Sequence, residues 1–149
     1  MEEATPAYKD ILEFSSIDDL FSHIDEEIKR KKTMLGNIIR EIERLKTISE
    51  ATSKLEQILR ELGGQAGAVK PSPSVNLNGV EVFVNPDPVS ELKLLTEAAR
   101  GLQSSISSLE RARKSIAPLL KLKDVDLDIK VVFEGGNIKS IIIKFPTLL

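Results

Sequence analysis

Apolar residues at alternating three- and four-residue steps run through two long stretches of this 149-residue chain, about Ile17 to Leu62 and Leu92 to Ile116. Such spacing returns to one side of an α-helix at every turn, so both stretches read as helices that offer a seam to a coiled-coil partner. The first seam runs Ile24, Ile28, Lys31, Leu35, Ile38, Ile42, Leu45, Ile48, Thr52, Leu55, Leu59 and Leu62. Two consecutive steps of three, Ile42 to Leu45 to Ile48, form a stammer that would locally overwind a coiled coil. The second seam, Leu92, Leu95, Ala99, Leu102, Ile106, Leu109, Arg113 and Ile116, alternates without a break.

Local signals bound these helices. Ser16, with Asp19 three residues on, resembles a capping box, and Asp18 and Asp19 suit the positive end of a helix dipole. Helix 1 is therefore expected over 16–63, closed by Gly63-Gly64, which can take a left-handed conformation without strain. Residues 1–15 read as an acidic, loosely attached arm. In Asn85-Pro86-Asp87-Pro88, Asp87 is placed to cap helix 2 and Pro88 to open it, with the helix expected over 87–121 and ended or kinked at Pro118. Gly36 inside helix 1 costs about 1 kcal/mol relative to Ala, and close packing is the simpler reason for it, a weak point the other.

Two short alternating segments remain. Residues 64–86 read as a flexible connector carrying a β-hairpin, whose Asn78-Gly79 turn pairs Leu77 with Val80 and Val75 with Val82. That places four apolar residues on one face, which must cover something, because a lone hairpin is marginal in water. Residues 124–149, with Gly135-Gly136-Asn137 between two apolar alternating runs, read as a second hairpin. The fold class is thus α+β, mostly α: an antiparallel coiled-coil hairpin of two long helices with two small β-hairpins, one between the helices and one at the C-terminus. Helix 1, roughly 69 Å long, outreaches helix 2 at roughly 45 Å, which should run out beside Lys32. The C-terminal hairpin is then expected to cover Ile17, Leu20, Phe21, Ile24 and Ile28.

Chemistry is weakly signalled. There is no Cys, which excludes disulfides, thiolate metal sites and Cys nucleophiles. His23 is the only histidine, too little for a metal centre or a triad. Asp124, Asp126 and Asp128 share a strand face that could hold a hard cation weakly, but they read first as a solvent side. Lys29-Arg30-Lys31-Lys32 follow Asp25-Glu26-Glu27 at helical spacing and read as a paired, solvated face, Asp25 with Lys29. No catalytic residue, cofactor or metal is expected, and the chain reads as not an enzyme.

The charge balance, -2 overall, argues against bulk attraction to nucleic acid or anionic membrane. No run approaches the ~20 apolar residues of a membrane span, and the acidic start is unlike a secretory signal, so a cytoplasmic protein is expected. The absence of Cys and the many Ile, Lys and Glu residues would also suit a thermophile. An oligomeric scaffold or adaptor follows, with Leu35, Ile38, Ile42, Leu45, Leu55, Leu59, Leu92, Leu95, Leu102, Ile106, Leu109, Leu77 and Val82 as its interface. Its partners would be further copies of itself, as a dimer or larger, and other proteins. Residues 88–123 carry a local charge of +4, and Arg100, Arg111, Arg113, Lys114, Lys121 and Lys123 could meet an acidic partner or, less favoured, nucleic acid as an architectural factor.

In layout, two long helices joined by a β-hairpin, the chain resembles a subunit of prefoldin, a hexameric chaperone that holds unfolded chains between coiled-coil tips. The resemblance implies a holding chaperone. It departs from that family in its C-terminal strands, where prefoldin chains end in a helix.

Overall fold

The computed structural model describes residues 9–63, 74–84 and 86–145. In chain order they form β1 (Lys9–Phe14), α1 (Ile17–Glu61), β2 (Ser74–Leu77), β3 (Val80–Phe83), α2 (Pro88–Ile116), a 3-10 helix (Ala117–Leu122), β4 (Asp128–Glu134) and β5 (Asn137–Lys144). The protein is α+β and mostly helical, with two small antiparallel sheets. Its chain divides into two compact units, and both long helices contribute to each: Met1–Met34 with Leu102–Leu149, called here the sheet unit, and Leu35–Gly101, the hairpin unit. Residues 64–73 and 85 of the connector and residues 1–8 of the arm lie outside the described residues.

The sheet unit starts from a cap. The Asp19 amide donates to Ser16 Oγ at 3.1 Å, satisfying one orphan donor at the start of α1. Directly before it, the segment expected as a loose arm is instead strand β1, antiparallel to β4 from Lys9↔Glu134 to Phe14↔Ile129. The correction has a physical cause: an apolar β4 buried on one face leaves its ladder groups to be paired on both sides, and β1 supplies the second side. Sheet order is therefore β1-β4-β5, and the C-terminal hairpin is two thirds of a larger sheet.

Between β4 and β5, Gly135 and Gly136 carry φ of 60° and 83°, the tight turn that their sequence requires. A bulge at Val132/Phe133 pairs Phe133 with Ile138 and Val131 with Ile141. The extra residue keeps Ile138 and Ile141 on one face despite their odd spacing. On β4, Ile129, Val131 and Phe133 alternate inward and are buried. They share one core with Ile17, Leu20, Phe21, Ile24 and Ile28 of α1, Ile106 and Leu109 of α2, and Leu127. Burying each such side chain contributes about 1.5–3 kcal/mol.

Pro118 stops α2 earlier than 121: the α-helix ends at Ile116 and six residues continue as 3-10 helix, because proline lacks the amide that an α-turn would need. Even so, α2 reaches past Lys32. Lys32 Nζ lies 3.3 Å from Glu110 Oε2, and Arg113 meets Asp25, so the last turns of α2 run antiparallel beside residues 25–32.

In the hairpin unit, the Ser90 amide donates to Asp87 Oδ1 at 2.8 Å and its hydroxyl to Asp87 Oδ2 at 3.0 Å, capping α2 ahead of Pro88. β2 and β3 pair Leu77 with Val80 and Val75 with Val82 across a turn in which Asn78 and Gly79 take φ of 52° and 88°. Asn76 Oδ1 accepts the Gly79 amide at 2.9 Å and braces that turn. α1 closes on Gly63, φ 80°, whose amide donates to the Arg60 carbonyl. At Gly36 nothing lies within 4 Å of where a Cβ would stand, so close packing does not explain this glycine.

Candidate functional site

Two surfaces stand out, one in each unit. The first is the apolar face of the hairpin unit. Among the described residues Leu45, at 3% exposed, is the only buried large hydrophobic there. Further along the same seam Leu55 is 57% and Leu62 78% exposed, with Ile48, Ile58 and Leu59 also open. On the β2–β3 hairpin Val75, Leu77, Val80 and Val82 are all exposed, so the face expected to cover something is uncovered. Of the other expected interface residues, Leu35, Ile38, Ile42, Leu92, Leu95 and Leu102 are half-buried, while Ile106 and Leu109 belong to the core of the sheet unit.

This unit also holds a fixed charge pair. The Arg44 guanidinium donates to both carboxylate oxygens of Glu41, one turn away. Those hydrogen bonds hold the Glu41 carboxyl below its usual range against the opposing effect of desolvation. Ser49, Thr52 and Glu56 of α1 border a depression of about 120 Å³ together with Asp87, Pro88 and Val89, which places the start of α2 beside the second half of α1.

The second surface is a cleft of about 390 Å³ in the sheet unit. Three consecutive residues of the edge strand β1, Asp10, Ile11 and Leu12, form part of its lining, and α1 contributes His23, Glu27, Arg30 and Lys31. Ile24, Leu109 and Phe133 supply its apolar portion. Glu27 Oε2 accepts from Arg30 Nη2 at 2.6 Å and Nε at 3.2 Å, so this charge pair belongs to the lining. The His23 ring stands 5.4 Å from Phe14 and 6.0 Å from Phe133 between ring centroids, tying α1 to two strands at once. No sequence signal distinguished His23 from a surface residue, because both aromatic partners come from strands remote in the chain.

Basic residues of the second helix do not act as one group. Arg113 is committed within the sheet unit: Nε donates to Asp25 Oδ1 at 2.5 Å, Nη2 to Asp25 Oδ2 at 3.2 Å, and the guanidinium lies 5.2 Å above the Phe21 ring. The forked hydrogen bonds to Asp25 raise the Arg113 pKa further. Asp25 thus pairs across to α2 and not with Lys29, because a planar fork stacked on an aromatic ring outcompetes a flexible ammonium one turn away. Arg100, Arg111, Lys114, Lys121 and Lys123 are exposed, as are Asp124, Asp126 and Asp128.

Among the described residues no group of three or more His, Asp or Glu side chains is placed to hold a metal ion, and no helix is long and apolar enough to cross a membrane. A scan against protein-family models and searches of curated proteins and of solved structures find no match.

Proposed function

We propose that this chain is a non-enzymatic oligomeric scaffold or adaptor, whose long helices form coiled-coil contacts and whose hairpin unit meets further copies or partner proteins. One observation carries the reading: among the described residues the hairpin unit buries a single large hydrophobic side chain, Leu45, while exposing a row of Leu, Ile and Val on α1 and on β2–β3. An apolar stripe of this extent on a free monomer is unusual and marks an interaction face. The 3-4 spacing of that stripe suits a helical partner better than a flat surface.

Light scattering across a dilution series should show a dimer or larger species, and replacing Leu55 and Leu59 together with Lys should return it toward monomer. A strict monomer at tens of micromolar would sink the reading. The exposed apolar face of β2–β3 favours one alternative, a prefoldin-like holding role in which that hairpin grips unfolded clients. Suppression of aggregation of unrelated denatured proteins, lost on Leu77→Lys with Val82→Lys while the oligomer persists, would select it. Nucleic-acid binding draws less support, since Arg113 is already spent on Asp25.

A further inference from the structure

Among the described residues strand β1 is an edge strand, and it lacks two of the devices that blunt edges, proline and a bulge. Asp10, Ile11 and Leu12 are part of the lining of the cleft, Ile11 being 62% exposed and Leu12 also exposed. Natural edges are commonly guarded by lysine, proline or a bulge, because unpaired amides and carbonyls invite another strand. The opposite edge, β5, fits that pattern with Lys139, Lys144, no carboxylate, and a bulge in its pairing with β4. β1 has neither proline nor bulge, and its charged residues, Lys9, Asp10 and Glu13, are of both signs.

We propose that β1 pairs antiparallel with β1 of a second copy of this chain, about a two-fold axis at Ile11, making one continuous six-stranded sheet. The charges of the strand suit a second copy and narrow the register, with Glu13 already 3.9 Å from Lys130 of β4 on the same face. With the axis at Ile11, Asp10 stands opposite Leu12 of the second copy, and Glu13 stands opposite position 9, a lysine, twice over by symmetry. Axes at Asp10 or at Glu13 would set carboxylates against one another, and an axis at Leu12 would leave Glu13 opposite Ile11 and Asp10 opposite Phe14, with no lysine facing either. Ile11 then meets its own copy, and because Ile11 lies beside Val132 on β4, an apolar row Val132, Ile11, Ile11, Val132 would cross the new sheet.

The cleft fits the same occupant. Asp10, Leu12 and Phe14 lie on the face of β1 that shares register with buried Phe133, Val131 and Ile129. A two-fold perpendicular to the sheet preserves that face, so the second strand brings one carboxylate and one leucine toward a lining that offers Arg30 and Lys31 beside Ile24. This interface lies in the sheet unit and does not depend on the helix seam behind the proposed function.

A cysteine walk on the full chain tests it, since the native sequence has no Cys and every disulfide formed is therefore intermolecular. Residues directly opposite in antiparallel strands have Cα atoms about 4.5–5.5 Å apart, inside the range a disulfide spans. Under mild oxidation Ile11→Cys should bridge on the order of ten-fold more than Asp10→Cys or Leu12→Cys alone, and mixing those two should restore bridging between them. Equal bridging at all three positions, or none at position 11 and none in the mixture, would overturn the proposal. Should Ile11→Cys fail to fold, the mixture decides alone. Adding Leu55→Lys and Leu59→Lys to the Ile11→Cys chain separates the two interfaces: bridging should survive there even as the helix-mediated oligomer is lost.

Discussion

The two units use the same helices and similar proportions of apolar residue, yet one closes on itself and the other does not. Of the twelve buried hydrophobic side chains among the described residues, eleven belong to the sheet unit and Leu45 alone to the hairpin unit. A third layer makes the difference. In the sheet unit α1 and α2 are joined by a sheet whose inner face carries Ile129, Val131 and Phe133, so three elements surround one interior. Two helices and a hairpin of two four-residue strands do not enclose an interior of that kind, and much of their apolar surface stays exposed.

Truncating side chains in the two units should expose this contrast most sharply. Ile24→Ala, at a site 1% exposed, should cost about 2–5 kcal/mol and lower the melting temperature of the sheet unit by many degrees. Leu55→Ala should cost almost nothing within one chain. Its effect should instead rise with protein concentration, read by thermal melts at two concentrations far apart, if another copy covers that face. Identical melting at both concentrations would break the comparison.

Smaller effects sharpen it further. Arg113→Ala removes a forked ion pair and a cation stacked on Phe21, both partly exposed, and should cost about 1 kcal/mol by denaturant melts. Lysine at that position should recover only part, because it keeps the charge but not the fork. In the hairpin unit, Gly36→Ala should stabilise by about 0.5–1 kcal/mol, since no neighbour obstructs the added methyl and the helix gains propensity. Loss of stability there would mean that Gly36 is packed against a second chain.

The smallest effect expected is that of pH at Glu41. Its carboxyl titrates below the ordinary range in the folded chain, so the stabilisation it gives is present above the unfolded pKa and is lost as pH falls through the lowered value. Melting of Glu41→Gln and of the parent should therefore differ slightly at neutral pH and converge in acid, below pH about 4. A gap that widens in acid would reverse the sign of this assignment.

What could be read from the sequence follows the range of the forces involved. Ser16, Asp87-Pro88, Asn78-Gly79 and Gly135-Gly136 act on their own backbone within a few residues, so caps, turns and the Leu77 to Val80 register were all legible. β1 was not. Six residues with apolar side chains at positions 11, 12 and 14 carry no clear period, and what makes them a strand is β4, more than a hundred residues away. Asp25 shows the same limit in charge: a lysine four residues on gave a plausible local partner, while the partner it takes lies 88 residues distant. The cleft was invisible for the same reason, since its lining is drawn from four segments that only the fold brings together.

The placement of the two interior helix glycines has a mechanical meaning. Gly36 lies two residues beyond Met34, where α1 leaves the sheet unit, and Gly101 is the last residue of α2 before it enters that unit. Apart from its own helix backbone and chain neighbours, neither has an atom within 4 Å of its would-be Cβ. An α-helix is a stiff beam, and removing a side chain that braces the neighbouring turns lowers its bending stiffness at that point. Each long helix therefore carries, at its one interior glycine, a point where it yields to bending more readily than along the rest of its length.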